Sequence, residues 1–545
     1  MSVSRRDMLK LGALGAVGAA GLSLPLGASV STKSASRLAS KNMPKPFQAE
    51  FVRQQALSPY QKGLNDEGKP VHYYSVTQRA GTANIVPGLT SPVYGYYGWD
   101  INLNRWVGGV PGPLIHAQQG TEVVLRMRNH LPRVNPLSGN AFKTSTHLHG
   151  SASKPQYDGY ASDVTPYGFY KDYRYPNFQP ARTLWYHDHG VHFTAQNAYS
   201  GLAAQYHLHD KAESELLPLD EFDVALTVSD AMFSANGALA YDDNSHSGLW
   251  GDVILVNGVP WPTMKVKKRV YRFRILNASI SRSLRPTLSN GAPLVIVGTD
   301  GGIMPKAQPV QNYRHAGAER YEVLIDFRNY KAGTKIQLRN LSNKNNVDYD
   351  FTNRIMEFVV TDDKIEDDRN NRIPDLLVDS PVMQLTPQES VKTRNMSVER
   401  KNGEWTINGK TWVDVENSDY KLVVGDPDLD DVEIWELENK SGGWFHPVHI
   451  HLIDFQIIDR NGKPPFAWER GPKDVAYVGE NEKVRVLMRF EHQRGYYMMH
   501  CHNLPHEDHD MMQQFSVGMK GVEQDENDPI HADPCKVDDL PDDDS

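Results

Sequence analysis

Cysteine is almost missing from this chain. Its 545 residues hold two, Cys501 and Cys535, too few for a disulfide framework. If Cys501 binds a metal, no disulfide within the chain is left. Excess positive charge is also lacking: the formal net charge is −9, which argues against a nucleic-acid partner. Beyond the N-terminus no run is long and apolar enough to cross a membrane, so no permanent membrane anchor is expected. Helical periodicity is scarce as well. The chain is filled instead by short alternating runs between Gly, Pro and Asn, the pattern of β-sandwich domains. With 39% apolar and 23% charged residues it reads as a folded globular protein rather than a disordered one. Its length asks for about three or four domains.

Four runs alternate well: "TEVVLRMRNHL" at 121–131, "RVYRFRILNAS" at 269–279, "ERYEVLIDF" at 319–327 and "VEIWELEN" at 432–439. Three of them carry an asparagine at or near their end, Asn129, Asn277 and Asn439. The spacing of roughly 150 residues is that of a one-sandwich domain, a weak threefold repeat. The expected domains are 45–210, 211–362 and 386–519, with a polar linker at 363–385 that includes most of "DDKIEDDRNNRIPD". Residues 520–545 form an acidic tail, with ten carboxylates and one lysine from Glu523 to Asp544, expected to be solvated and flexible. At the other end, residues 1–40 begin with Arg5 and Arg6, then Met8, Leu9 and Lys10, then an uncharged, Gly- and Ala-rich stretch at 11–32 with Pro25. This is the pattern of a twin-arginine export signal, with cleavage after Ala28 or a little later. The expected location is periplasmic or secreted.

Histidine is patterned. Five His-x-His pairs occur: His147/His149, His187/His189, His207/His209, His449/His451 and His500/His502. Composition alone would give about one, by counting matches. His207/His209 is taken as the chance pair, since "QYHLHD" brings no other ligand-like residue. On a strand, residues i and i+2 share a face, so each pair aims two imidazoles at one point. Imidazole suits copper, zinc, iron or nickel. Four pairs supply eight imidazoles, too many for one mononuclear site, which implies a cluster. The stretch "HCHNLPHEDHDMM" adds a second centre. Cys501, with His506 five residues on, Met511 ten residues on and His446 offered by "WFHPVHIHL", makes a His₂Cys set with a weak axial thioether, a blue-copper arrangement. Alternation turns Cys501 to one side of its strand and His500 and His502 to the other, so one residue step would join the two centres covalently.

"HLHG", "WYHDH", "HPVHIH" and "HCHNLPHEDHDMM", in this order, resemble the four copper-binding motifs of the multicopper oxidases, and the likeness covers essentially the whole mature chain. Within the family it is nearest to the bilirubin oxidases and spore-coat type bacterial laccases. The resemblance implies an all-β fold of three cupredoxin-like Greek-key β-sandwich domains, and four copper ions. The type 1 copper would be held by His446, Cys501, His506 and axial Met511, and the type 2 copper by His147 and His449. The type 3 pair would be held by His149, His187, His189, His451, His500 and His502. By the same likeness Asp158 and Glu507 supply protons for oxygen reduction. Trp444, two residues before His446, would lie near the type 1 edge. The implied partners are O₂ and a small reducing substrate, bilirubin-like, phenolic or an aromatic amine, and the implied state is a monomer. A cuprous-ion oxidase for copper tolerance is the alternative enzyme. It ranks lower because residues 410–435 contain no methionine, where such relatives often carry a Met-rich insert. A copper-free exported scaffold or cell-division factor on the same fold is the alternative of another class, and the complete ligand set argues against it.

Overall fold

The computed structural model describes residues 37–136, 139–523 and 526–538. The expected export signal and the last residues of the tail lie outside these. Among the described residues no helix is long and apolar enough to cross a membrane.

The strands form six sheets, which face each other in pairs. The first pair is built from strands between Gln61 and His209, the second from strands between Asp223 and Val360, the third from strands between Lys392 and Val517. Each pair encloses its own apolar core. Tyr74, Val76, Val123 and Leu125 of one sheet meet Leu148, Leu184, Tyr186 and Tyr206 of its mate in the first. Leu226, Phe273 and Ile275 meet Ile336, Leu338 and Phe358 in the second. Met396, Leu437 and Val486 meet Val448, Ile450 and Phe515 in the third. Alternation of apolar and polar residues puts one face of each strand into such a core.

The three asparagine-ending runs hold equivalent places. Glu122–His130, Val270–Asn277 and Val432–Asn439 each lie parallel to an earlier strand: Pro70–Ala83, Asp223–Ala231 and Lys392–Lys401. Each asparagine does the same work. Its Oδ1 accepts from the backbone N–H two residues on, at Leu131, Ser279 and Ser441. Its Nδ2 donates to two carbonyls where the strand ends: Phe142 and Thr165, Arg282 and His315, Trp444 and Gly479. The repeat seen in the sequence is therefore a repeated backbone clamp.

Two expectations are corrected. Residues 47–51, expected in the first domain, run along the second sandwich instead: Phe47 and Phe51 donate backbone hydrogen bonds to Trp261 and Thr263. The acidic tail, expected to be flexible over its length, is docked across 526–538. Lys536–Val537 pairs with Phe169–Tyr175 as an added edge strand. Asp538 is held by Arg128 at 3.0 Å and His130 at 2.9 Å. Tyr157 donates to Asp533, and Ile530 packs with Tyr160, Met498 and Met512. Composition signalled solvation, but these few carboxylates meet cationic and hydroxyl partners on the first sandwich.

Candidate metal centre

The eight clustered histidines come from two sandwiches. In the first, Thr146–His149 is the edge strand of its sheet and pairs with Arg182–Asp188, which sets His147 opposite His187. In the third, His446–Ile450 pairs with Gly495–Cys501, which sets His449 opposite His500 and Val448 opposite Cys501. The edge strand of the first sandwich meets these two inner strands of the third face to face. His147 stacks on His451 with ring centroids 4.0 Å apart, and His149 on His449 at 3.6 Å. All eight, with His446, His506, Cys501 and Met511, are at most 1% exposed.

Twelve such side chains this deep need an explanation, and their hydrogen bonds supply it. His147 and His187 give Nδ1–H to the carbonyls of Asp158 and Asp188. His449 gives Nδ1–H to the carbonyl of Asp474, and His149 gives Nε2–H to the Asp474 carboxylate at 3.1 Å. Each ring thus spends one nitrogen on an outer partner. The other nitrogen is buried without any, Nε2 of His147, His187 and His449 and Nδ1 of His149, and so is Nε2 of His502. The Nε2 atoms of His189 and His451 lie 3.0 and 3.1 Å from Nε2 of His500. Burial, and after it the neighbouring imidazoles, depresses the pKa of His147, His149, His449, His451 and His502. Neutral rings with converging, unsatisfied lone pairs in a dry site fit bound metal ions, and an outer partner on the second nitrogen is what orients such ligands.

The nitrogens separate into groups. His149, His187 and His502 form one triad, His189, His451 and His500 a second, and His147 and His449 meet beside His149. His207/His209, set aside from the sequence, stands elsewhere with His116.

On the opposite side of the strand Cys501 enters the third sandwich's core, in the same apolar cluster as Met511. His446 Nδ1 lies 3.3 Å and His506 Nδ1 3.7 Å from its Sγ. The far nitrogens are again occupied, His446 Nε2 by the Ser441 hydroxyl and His506 Nε2 by the Ser247 carbonyl. His506 sits on the short helix Leu504–Asp508, entered through Pro505. The Met511 N–H donates to the His506 carbonyl and the Cys501 N–H to the Met511 carbonyl, so one tight loop carries all three residues. Burial pushes the Cys501 thiol far up, so only a bound cation would hold it as thiolate. Met512, the neighbour, packs elsewhere with Tyr160, Trp412 and Met498.

Both carboxylates predicted from the sequence lie at the cluster, in different states. Asp158 Oδ2 accepts from His451 Nδ1 at 2.7 Å, while its Oδ1 is buried without a partner. Burial holds its carboxyl well above the usual range. Glu507 lies 2.8 Å from His500 Nδ1 and 3.6 Å from His189 Nδ1. Burial alone would raise it, but His500, His189 and His187 together hold it near 2. Trp444 is half-buried, its ring edge-on to His506 at 5.7 Å. Trp405 is closer, stacked on His506 at 3.8 Å. The sequence reading missed Trp405 and Asp474, which stand in "GEWTI" and "PKDVA" with no neighbouring motif to mark them.

Known proteins share this architecture. Models described as multicopper oxidase match residues 102–213 and 384–520. The chain is 40% identical over 469 residues to the bilirubin oxidase of Albifimbria verrucaria, covering 83% of this chain and 77% of that one. It is 30% identical over 507 residues to a laccase of Bacillus subtilis, covering 83% and 95%. Among solved structures, the McoA multicopper oxidase of Aquifex aeolicus superposes with a TM-score of 0.74 at 27% identity, over 87% of this chain and all of that one.

Proposed function

The chain belongs to the multicopper oxidase family, and from that premise we propose that it is a bilirubin oxidase or laccase type enzyme with four copper sites. It is a copper oxidoreductase with O₂ as acceptor; the site assignments, the copper count and the substrate are our reading. His446, Cys501, His506 and Met511 would hold the type 1 ion, His147 and His449 the type 2 ion. The triads His149/His187/His502 and His189/His451/His500 would hold the type 3 pair. When bound, copper supplies one-electron oxidation of the substrate and the four-electron reduction of O₂, which with four protons gives two waters.

The chain's own residues do the rest. The burial of all these donors keeps bulk water from the cluster. Cys501 is bonded through the backbone to His500 and His502, so the two centres are joined by the shortest covalent route the chain offers. Asp158 can hold a proton on Oδ1 beside His147 and His451, and Glu507, ionised, fixes the rings of His500 and His189. At the substrate end, buried Trp405 backs the His506 ring and half-buried Trp444 leaves aromatic surface beside it. That surface supports flat, conjugated donors over a bare cuprous ion, and it is the observation that carries the substrate reading. Residues 410–435, without methionine, lack the soft thioether ligands that would gather Cu(I) there.

The test is oxygen uptake by the copper-loaded protein with bilirubin, a simple phenol and Cu(I) in parallel. Bilirubin or the phenol should turn over faster than Cu(I). Uptake with Cu(I) alone would favour the metallo-oxidase reading, and a colourless, redox-silent protein after copper loading would favour the scaffold. We propose further that the enzyme is exported by the twin-arginine route, on the strength of Arg5 and Arg6 and the uncharged stretch that follows. Replacing both arginines with lysine should leave it in the cytoplasm.

A further inference from the structure

One more set of histidines converges, well apart in sequence from the copper motifs. His116 and His207 are register partners on the parallel strands Ile115–Gln118 and Ala203–His209. His209, two residues past His207, shares its face. One ring nitrogen from each lies within 4.8 Å of those of the other two. The pair His207/His209, expected to be chance because no third ligand lies near in sequence, thus acquires one across the ladder.

The surrounding hydrogen bonds assign the lone pairs. The Gln205 amide nitrogen donates to Thr227 Oγ1 and to the Arg274 carbonyl. Its oxygen is thereby turned to His207 and accepts from Nε2–H at 2.8 Å. Nδ1 is then the unprotonated nitrogen of His207. The residue is 1% exposed, and this nitrogen is buried with no hydrogen-bond partner. His209 donates Nδ1–H to Glu213 at 2.7 Å, and Glu213 is itself fixed by Arg272 and Arg274 at 2.7 and 2.6 Å. Nε2 of His209 therefore carries its lone pair, which meets Nδ1 of exposed His116 at 2.8 Å. A carboxylate behind a histidine is the usual support of a metal-binding imidazole.

We propose that His116, His207 and His209 form a further metal site, distinct from the copper centres, for a borderline divalent ion of the Zn²⁺ class. Three neutral imidazoles suit such an ion, with the fourth position left to water. The site borders a cleft of about 720 Å³ that also reaches Arg53, Asp210 and Asp223. This is where the chain leaves the first sandwich for the second through the helix Lys211–Leu216. The ion would pin the strand Ile115–Gln118 to the strand that leads into that crossover, a structural clip rather than a redox centre.

The experiment uses the copper-loaded protein with Zn²⁺ as probe, followed by equilibrium dialysis with metal analysis and by thermal unfolding. One zinc per chain should bind beyond the resident copper and raise the melting temperature. His116→Ala, at an exposed position, and His209→Gln should each weaken zinc binding roughly tenfold or more and abolish the thermal shift, with copper content and oxidase turnover unchanged. No zinc beyond the copper content overturns the proposal. Zinc bound equally well by both variants overturns it too, since the ion would then sit elsewhere.

Discussion

Asp158 and Glu507 show how two acids at one cluster are given different work. Glu507 is surrounded by imidazoles and held near 2, so it stays ionised. Asp158 has one oxygen on His451 and one without a partner, and burial raises its pKa. A raised carboxyl keeps its proton to higher pH than an exposed one. Oxygen reduction that draws on that proton should be fast below the raised value and should slow as pH climbs through it. Asp158→Asn keeps the shape and removes the proton. Single-turnover reoxidation of the reduced, copper-loaded variant should be slow and flat over roughly pH 5 to 8, with the blue colour retained. A rate matching wild type across that range would exclude Asp158 as donor. A second residue-scale test separates adjacent methionines. Met511 shares the Cys501 cluster, and Met512 packs with Trp412 and Met498 on the other side. Met511→Gln brings a harder oxygen donor that favours Cu(II), so the type 1 potential should fall; ~60 mV would equal ~1.4 kcal/mol for one electron. Met512→Gln should leave the potential where it is. Redox titration of both variants decides, and a shift confined to Met512→Gln would move the proposed axial ligand.

Among elements, the docked tail has a consequence of its own. Residues 526–538 brace the segment that carries Asp158: Asp533 holds Tyr157, the last residue of the short helix Pro155–Tyr157, and Ile530 packs on Tyr160. The anchor is Asp538, whose side chain is 4% exposed between Arg128 and His130. Asp538→Ala removes the acceptor of a buried charge-assisted pair, worth about 1–2 kcal/mol. The melting temperature of the variant, compared with wild type at one scan rate, should fall. An unchanged value would mean that strand pairing, Asp533 and Ile530 hold the tail without Asp538. The repeated asparagine clamps act at the same scale, closing the end of one parallel-paired strand in each sandwich.

Across the whole molecule, one ion pair ties the three sandwiches to the cluster. Arg320 of the second donates to both oxygens of Asp474 in the third, at 2.8 and 2.5 Å, and to the Thr183 carbonyl in the first. Asp474 then orients His149 through its carboxylate and His449 through its carbonyl. The second sandwich supplies no residue to the cluster, yet through Arg320 it helps set the geometry there. Asp474→Ala would leave the buried Arg320 guanidinium only the longer ion pair with Asp300 at 3.9 Å, a cost of up to about 3–5 kcal/mol, and free the His149 ring. The melting temperature should drop and copper per chain should fall below that of wild type, while the blue colour persists, because the Cys501 site has no contact with Asp474 among its hydrogen bonds. Full copper content in a folded Asp474→Ala protein would show that His149 needs no such support.

Strand alternation was readable without coordinates, because a period of two depends only on local backbone geometry. So were the His-x-His pairs, the opposite facing of Cys501 and its flanking histidines, and the family resemblance. Other features depended on what the fold brings together. Division of the cluster into two triads and a pair follows from how an edge strand of one sheet meets two inner strands of another. Asp474, Arg320 and Trp405 stand in unremarkable local sequence and become significant only by burial beside a histidine from another strand. His116 lies 91 residues before His207 and meets it only through a parallel ladder. The tail looked like free charge because composition records how many carboxylates there are, and only the tertiary structure decides which of them find an arginine.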